Sequence, residues 1–255
     1  MCARVYARAA ALNVKPAGSS AKGSRRSSLR CDKPHCNPKL RLFGIDISAD
    51  TLQDFATCFE NRGMRVSGES AEQSMPRQSF VNACVLALNG DSIKKLSASK
   101  EFADGHGFIF GIGSDQQILS FPNFHVNILL REPTQTTIHA AVEKSSSVLC
   151  RRVTVHDRIP IATKAIVSTG AVALNGVTLN IGCGGIAVRL RRAIDLPRLV
   201  SITWDLPGSP SISLDAEPRW SSGPIVGFRF VSRSPAALKC WIHNYSARLG
   251  VTSVI

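Results

Sequence analysis

The sequence predicts two folded modules of different class: a doubly wound α/β sandwich over residues 41–149, then a six-stranded β-barrel with a C-terminal helix over residues 150–255. A disordered basic tail, residues 1–40, precedes them. Three observations lead there. Between Arg41 and Leu149 short apolar runs alternate with helical periodicity, the pattern of a parallel sheet covered by helices. From Pro160 onward the runs are short, rich in Val, Ile and Leu, and split by Gly, Pro and Ser turns, the pattern of a small barrel. The charge also changes sign along the chain: of a net +13, residues 1–41 hold +9, residues 42–145 hold −4 and residues 146–255 hold +8.

A chain of 255 residues is long enough for two domains with their own cores. No uninterrupted apolar run approaches the roughly 18 residues of a membrane helix, so no membrane span is expected. The eight cysteines are scattered and no secretory signal is recognisable, which reads as reduced thiols in a cytoplasmic protein. The tail is rich in Ala, Ser, Arg and Lys and cannot bury enough apolar surface to offset chain entropy. Its composition also fits a transit peptide or non-specific contact with nucleic acid or anionic lipid, but a solvated tail is the plainer expectation. Cys31, His35 and Cys36 have loose zinc-ligand spacing, but no second pair follows, and the segment reads as a loop.

In the middle module, Leu42 to Ile47 reads as a strand, and Ser48 to Asp50 as the cap of a helix with Leu52, Phe55, Ala56 and Phe59 on one face. Gly63 ends that helix in a left-handed position. Met64 to Ser67 gives a second strand, and Phe80 to Leu88 is apolar enough for a central strand covered on both faces. A helix from Asp91 to Phe102, strands at Phe108 to Ile112 and Val126 to Leu130, and a helix from Thr134 to Leu149 complete the set. Gly105, Gly107, Gly111 and Gly113 match neither a dinucleotide fingerprint nor a phosphate loop, and read as turns.

The barrel strands are expected at Ile159–Val167, Ala173–Leu179, Ile186–Leu190, Leu199–Leu206, Ser211–Arg219 and Ile225–Val231. Leu238, Trp241, Ile242, Tyr245 and Leu249 form the core-facing stripe of a final helix that starts near Pro235. Arg189, Arg191 and Arg192 form a basic cluster in which alternation turns Arg189 and Arg191 outward, toward solvent, an acidic partner or the acidic middle module.

The residues that carry chemistry lie where the modules join. Arg151, Arg152 and Arg158 precede the first barrel strand, and Asn180, Gly182 and Gly185 end the second. A guanidinium can fork onto the O6 and N7 edge of guanine or onto phosphate, and can stack on a base. Asn offers a donor and an acceptor, and glycine allows close approach. This layout, with Trp220 and the later run Val226 to Val231, resembles a PilZ domain, the bacterial receptor module for cyclic di-GMP. Thr154 stands where that family's Arg-x-x-x-Arg motif has its first Arg, and Gly182 where its second motif has Ser. The resemblance implies a ligand, cyclic di-GMP, bound by Arg151, Arg152, Arg158, Asn180, Gly182 and Gly185, with no other cofactor. It further implies a bacterial signalling role in motility, exopolysaccharide production or biofilm behaviour. The alternative is a degenerate module that binds no nucleotide and acts as a protein adaptor.

The element order of the middle module resembles a response-regulator receiver. Its phosphorylation residues are missing: Asp46 is followed by Ile47 rather than a second acid, Leu88-Asn89-Gly90 lacks the acceptor Asp, and Glu132 stands before Pro133 in place of Lys. A pseudo-receiver scaffold is therefore expected, with an unidentified protein partner engaged through it or through the barrel. No enzymatic motif is present and the six histidines do not cluster, so an enzyme is not expected. No helix carries a compact recognition face, so nucleic acid is not an expected partner.

Overall fold

Five strands pair in parallel in the order β2-β1-β3-β4-β5: β1 (Lys39–Ile45), β2 (Arg65–Ser67), β3 (Phe80–Ala87), β4 (Phe108–Ile112) and β5 (Ile128–Leu130). This is the doubly wound order whose direction reverses between β1 and β3. The coordinates are a computed structural model that describes residues 39–67, 80–99, 102, 107–121, 124–150, 156–233 and 235–249. The basic tail and the Cys31, His35 and Cys36 segment lie outside the described residues.

Alternation along β3 and β4 sorts the core into two faces. Ala83, Val85, Phe108 and Phe110 face α1 (Ala49–Glu60) and α4 (Gln135–Leu149), where they meet Phe55, Phe59, Ile138 and Val142. Phe110 packs at 5.0 Å from Phe55 and 5.9 Å from Phe59, ring centre to ring centre. Burial of one such ring stabilises by about 1.5–3 kcal/mol. Ser48, as the sequence indicated, and Thr134 cap these helices through their hydroxyls. Gly63, at φ 80°, follows α1.

Cys84, Leu86 and Ile109 face the other way, toward α2 (Gly90–Ala98) and α3 (Asp115–Ser120). These helices are short, and their cluster is completed by Ala162 and Val177 from the barrel. The barrel thus covers part of the sheet, and both modules belong to one compact unit. Two local expectations differ from the structure. The helix from Asp91 stops at Ala98 because Ser99 is extended, at ψ 126°. The six-residue helix α3 was not expected; a capping box between Ser114 and Gln117 supports it.

The barrel consists of β7 (Lys164–Ser168), β8 (Ala173–Gly182), β9 (Gly185–Leu190), β10 (Val200–Leu206), β11 (Ser209–Ser222) and β12 (Ile225–Phe230), all antiparallel. It runs β8-β7-β10-β11-β12-β9, and the β8–β9 pairing closes it. The strand expected at Ile159–Val167 is broken into β6 (Ile159–Pro160) and β7. Between them Ala162 exchanges both backbone bonds with Val126 of the α/β layer, at 3.1 and 2.6 Å. The Thr178 hydroxyl takes up the neighbouring groups, accepting from Thr163 N at 3.0 Å and donating to Ile161 O at 2.6 Å. Helix α5 (Ala236–Arg248) buries Leu238, Trp241, Ile242 and Tyr245, and Trp241 Nε1 donates to Pro207 O at 3.0 Å.

Candidate functional site

The turn between β8 and β9 and the short strand β6 bring the candidate residues together. Pairing of Ile159 with Ile181 and Pro160 with Asn180 sets Arg158 beside Gly182. The Arg158 side chain then crosses the glycines. A Cβ added to Gly182 would lie 3.3 Å from Arg158 Cγ, and one added to Gly185 would lie 3.4 Å from its Nη2. Arg158 Nη1 donates to Asn180 Oδ1 at 2.7 Å. The partner that orients this exposed cation is a neutral amide, and among the described residues no carboxylate pairs with it.

Strand register extends this cluster into a surface. Asn180 is opposite Ala187, Ala187 opposite Gly227, and Gly227 opposite Trp220. The next row outward is Gly182, Gly185, Arg229 and Glu217. Ile181, Ile186, Val188, Val226 and Phe228 fill the interior, so both rows belong to the outer face. Neighbouring strands lie about 4.8 Å apart, so a four-strand row spans about 14 Å.

Small residues keep the middle of this surface flat. At Gly185 a Cβ would sit 2.1 Å from Phe228 O, so no side chain fits without separating β9 from β12. At Gly227 it would sit 2.1 Å from the indole of Trp220, which therefore lies down on the glycine while the residue stays half exposed. The β-bulge between Pro218 and Trp220 brings Trp220 into line with Gly227. Arg229 borders the glycines but is held by Glu217 at 2.9 Å.

Of the residues expected from the sequence, Arg158, Asn180, Gly182 and Gly185 therefore converge, while Arg151 and Arg152 lie outside the described residues. The Trp220–Gly227 seat was not expected as part of the surface. Its sequence signal is Pro218 inside a strand, which marks a bulge, together with Gly227 across the ladder.

The outward cluster on β9 meets the α/β layer. Arg189 Nη1 donates to Asp115 Oδ1 at 2.9 Å, Arg131 Nη2 donates to Asp115 Oδ2 at 2.6 Å, and Arg191 reaches Gln116 at 3.1 Å. A second junction is buried. Asn127 accepts from Ile109 N at 2.6 Å and donates to Pro160 O at 3.3 Å and to the Tyr245 hydroxyl. Burial pushes the Tyr245 phenol well above its ordinary range, the Asn127 hydrogen bond acting in the opposite sense. The lone Asn in an apolar run carried no sequence signal for this role.

The crevice at the β1/β3 reversal, where such sheets bind ligands, is organised differently. Asp46, at φ 53°, accepts from Lys95 Nζ at 2.5 Å and from Ser92 Oγ at 2.7 Å. The Lys95 and Ser92 hydrogen bonds hold its carboxyl below the usual range, against a smaller opposing effect of burial. Asn89, at the end of β3, caps α2 by accepting from Ser92 N at 2.8 Å. Among the described residues no His, Cys, Asp and Glu cluster could hold a metal ion, and no helix is long and apolar enough to cross a membrane.

A closed six-stranded barrel with a glycine-lined outer wall beneath an arginine and a final helix is the class of β-domain that the chain presents here. Residues 153–245 match the family model of the PilZ domain, and the chain carries a PilZ domain at that position. No curated protein matches the chain. Among solved structures it is similar to the Bacillus subtilis inhibitor of motility (MotI/DgrA), at 16% identity over 41% of this chain and 53% of that one, TM-score 0.32. The Borreliella burgdorferi PlzA protein in complex with c-di-GMP matches at 15% identity over 46% of this chain and 49% of that one, TM-score 0.29. The PilZ domain of CeSA from a cellulose-synthesizing bacterium matches at 22% identity over 36% of this chain and 97% of that one, TM-score 0.29. The match thus spans about half the length of the first and second of these.

Proposed function

We propose that the chain is a cyclic di-GMP-binding PilZ effector whose α/β layer serves as a non-phosphorylatable pseudo-receiver scaffold in the cytoplasm. The observation that carries this reading is Arg158, laid over Gly182 and Gly185 and oriented by Asn180 at 2.7 Å. Cyclic di-GMP carries two phosphate charges and two guanines, and a preoriented guanidinium suits either. The open glycine surface admits a base at contact distance, and the exposed indole of Trp220 offers a stacking face at its far side. Arg151 and Arg152 are the further cations this reading assigns to the ligand. The scaffold role rests on Asp46, whose charge is already answered by Lys95.

Calorimetric titration of the full chain with cyclic di-GMP tests the reading, beside Arg158→Ala and Trp220→Ala variants. Micromolar or tighter binding that weakens about tenfold in each variant supports it. No heat at millimolar ligand sinks it.

The adaptor reading, without nucleotide, draws on one observation. Gly182 stands where the family motif has Ser, and a Cβ there would press on Asp157 O and Arg158 Cγ, both at 3.3 Å. Under that reading the chain fails to bind cyclic di-GMP and acts through a protein partner alone.

A further inference from the structure

The end of the barrel opposite the β8–β9 turn exposes apolar side chains that the function above does not use. Ser201 pairs with Ser168, and Ser168 with Ala173, so the turn before β8 and the loop before β10 meet at this end. Val172 is 54% exposed there, Leu199 53% and Ile194 37%, three of the large hydrophobic residues that stand out from an otherwise well-packed barrel. A groove of 370 Å³ adjoins them, lined by Leu174, Leu190 and Ile194 together with Asn175, Arg191 and Arg192.

Basic residues are interleaved with them. The loop reads Arg191-Arg192-Ala193-Ile194-Asp195-Leu196-Pro197-Arg198-Leu199, three arginines against one acid. Arg191 is taken up by Gln116 of the α/β layer. Arg192 and Arg198 are exposed and form no ion pair among the described residues. Leu196, by contrast, packs on the core and anchors the loop.

We propose that this barrel end is a docking surface for an anionic lipid bilayer, with Val172, Ile194 and Leu199 entering the interfacial layer and Arg192 and Arg198 meeting lipid phosphates. Charge complementarity selects the occupant: two guanidiniums with no ion pair among the described residues flank aliphatic tips on adjoining loops, within a C-terminal segment of net +8. Three aliphatic tips without an exposed aromatic make a poor anchor for a stable protein interface, which buries about 800 Å² on each side around aromatic and Arg hot spots. Partition into a headgroup layer needs no such pocket, because each buried aliphatic group and each nearby cation adds to it. Strand β8 separates this end from the Gly182–Gly185 turn by about 30 Å at 3.3 Å per residue, so both surfaces can be occupied together. The inference is independent of whether the chain binds a nucleotide.

Co-sedimentation of the full chain with phosphatidylcholine vesicles, and with phosphatidylcholine–phosphatidylglycerol vesicles, decides it. Binding to the anionic vesicles alone is expected, weakening with salt. Arg192→Ala and Arg198→Ala should each reduce the partition coefficient about fivefold. Val172→Ser with Leu199→Ser should reduce it about tenfold. All four positions are exposed, and thermal midpoints close to that of the parent exclude unfolding as the cause. No binding to anionic vesicles at low salt overturns the proposal. Undiminished binding by the variants also overturns it, and assigns attachment to other basic segments, the first 41 residues above all. If vesicles are ignored while the same variants abolish concentration-dependent self-association, a second copy covers the patch and the lipid assignment is wrong.

Discussion

The molecule offers two places where a phosphorylated ligand could sit, and they treat charge in opposite ways. At the end of the parallel sheet, Asp46 is an acid whose cation the chain itself supplies, through Lys95 at 2.5 Å. On the barrel wall, Arg158 is a cation steadied by a neutral amide, over glycines that leave the space beside it open. Both are pre-organised, but among the described residues only the second has a charge with no opposite charge paired to it. A polar cluster at an expected ligand position is thus not itself a site; what matters is whether its charge has been spent within the fold.

The sharpest way to break the comparison is to fill the open wall. Gly185→Ala places a methyl 2.1 Å from Phe228 O and must part β9 from β12, whereas Gly182→Ala meets a side-chain carbon and a carbonyl at 3.3 Å. The first should cost about 2–4 kcal/mol, as overpacking against backbone does, and abolish the cyclic di-GMP binding proposed above, and the second should cost well under half as much. Urea unfolding of both variants reads the difference, and equal midpoints would mean the wall is not rigid.

Next comes the junction that joins the two regions. Asn127→Ala leaves the Ile109 amide without its side-chain acceptor and deprives the buried Tyr245 hydroxyl of a partner. With about 1–3 kcal/mol for each unmet group, a loss of about 2–4 kcal/mol is expected. Tyr245 adds a pH signature. Its raised pKa means the phenol ionises first in the unfolded chain, so its contribution is complete below about pH 10 and declines as pH rises beyond. The wild type should therefore lose stability faster above pH 10 than Tyr245→Phe. Parallel curves would show that the hydroxyl is not buried against Asn127 in solution.

Much of this was readable in the chain. Strands with continuous apolar runs, such as Phe80 to Ala87, and helices with caps and stripes, such as Ser48 with Phe55 and Phe59, stand out because their burial is decided locally. The break at Ala162 was not readable, because it depends on Val126, 36 positions earlier in the chain, turning its backbone toward the barrel. The same holds for Arg189. Alternation turns it outward, but only tertiary packing decides that outward means Asp115 rather than water. At the candidate site, residue type and the PilZ resemblance together pointed to Arg158, Asn180, Gly182 and Gly185, which lie side by side, and to Arg151 and Arg152, which lie outside the described residues. Trp220 was legible as a residue of the resemblance but not as part of the surface, because its seat on Gly227 depends on a bulge that only Pro218 signals.

The smallest effect concerns the spent charge. Lys95→Met removes the cation that lowers the Asp46 pKa and leaves the carboxylate to Ser92 alone. A depressed pKa contributes stability above the ordinary carboxylate range and loses it as pH falls through the folded value. The variant should therefore be slightly less stable than the parent at pH 7, with the gap closing as the solution is acidified toward pH 3. The pair is exposed to solvent and salt-screened, so the difference stays small and should shrink further in high salt. Cyclic di-GMP titration of the same variant should be unchanged, because the barrel wall uses none of these groups. A gap that persists at low pH would trace the effect to packing of the Lys95 stem rather than to its charge. A change in nucleotide affinity would show that the two regions, for all their difference in charge, communicate.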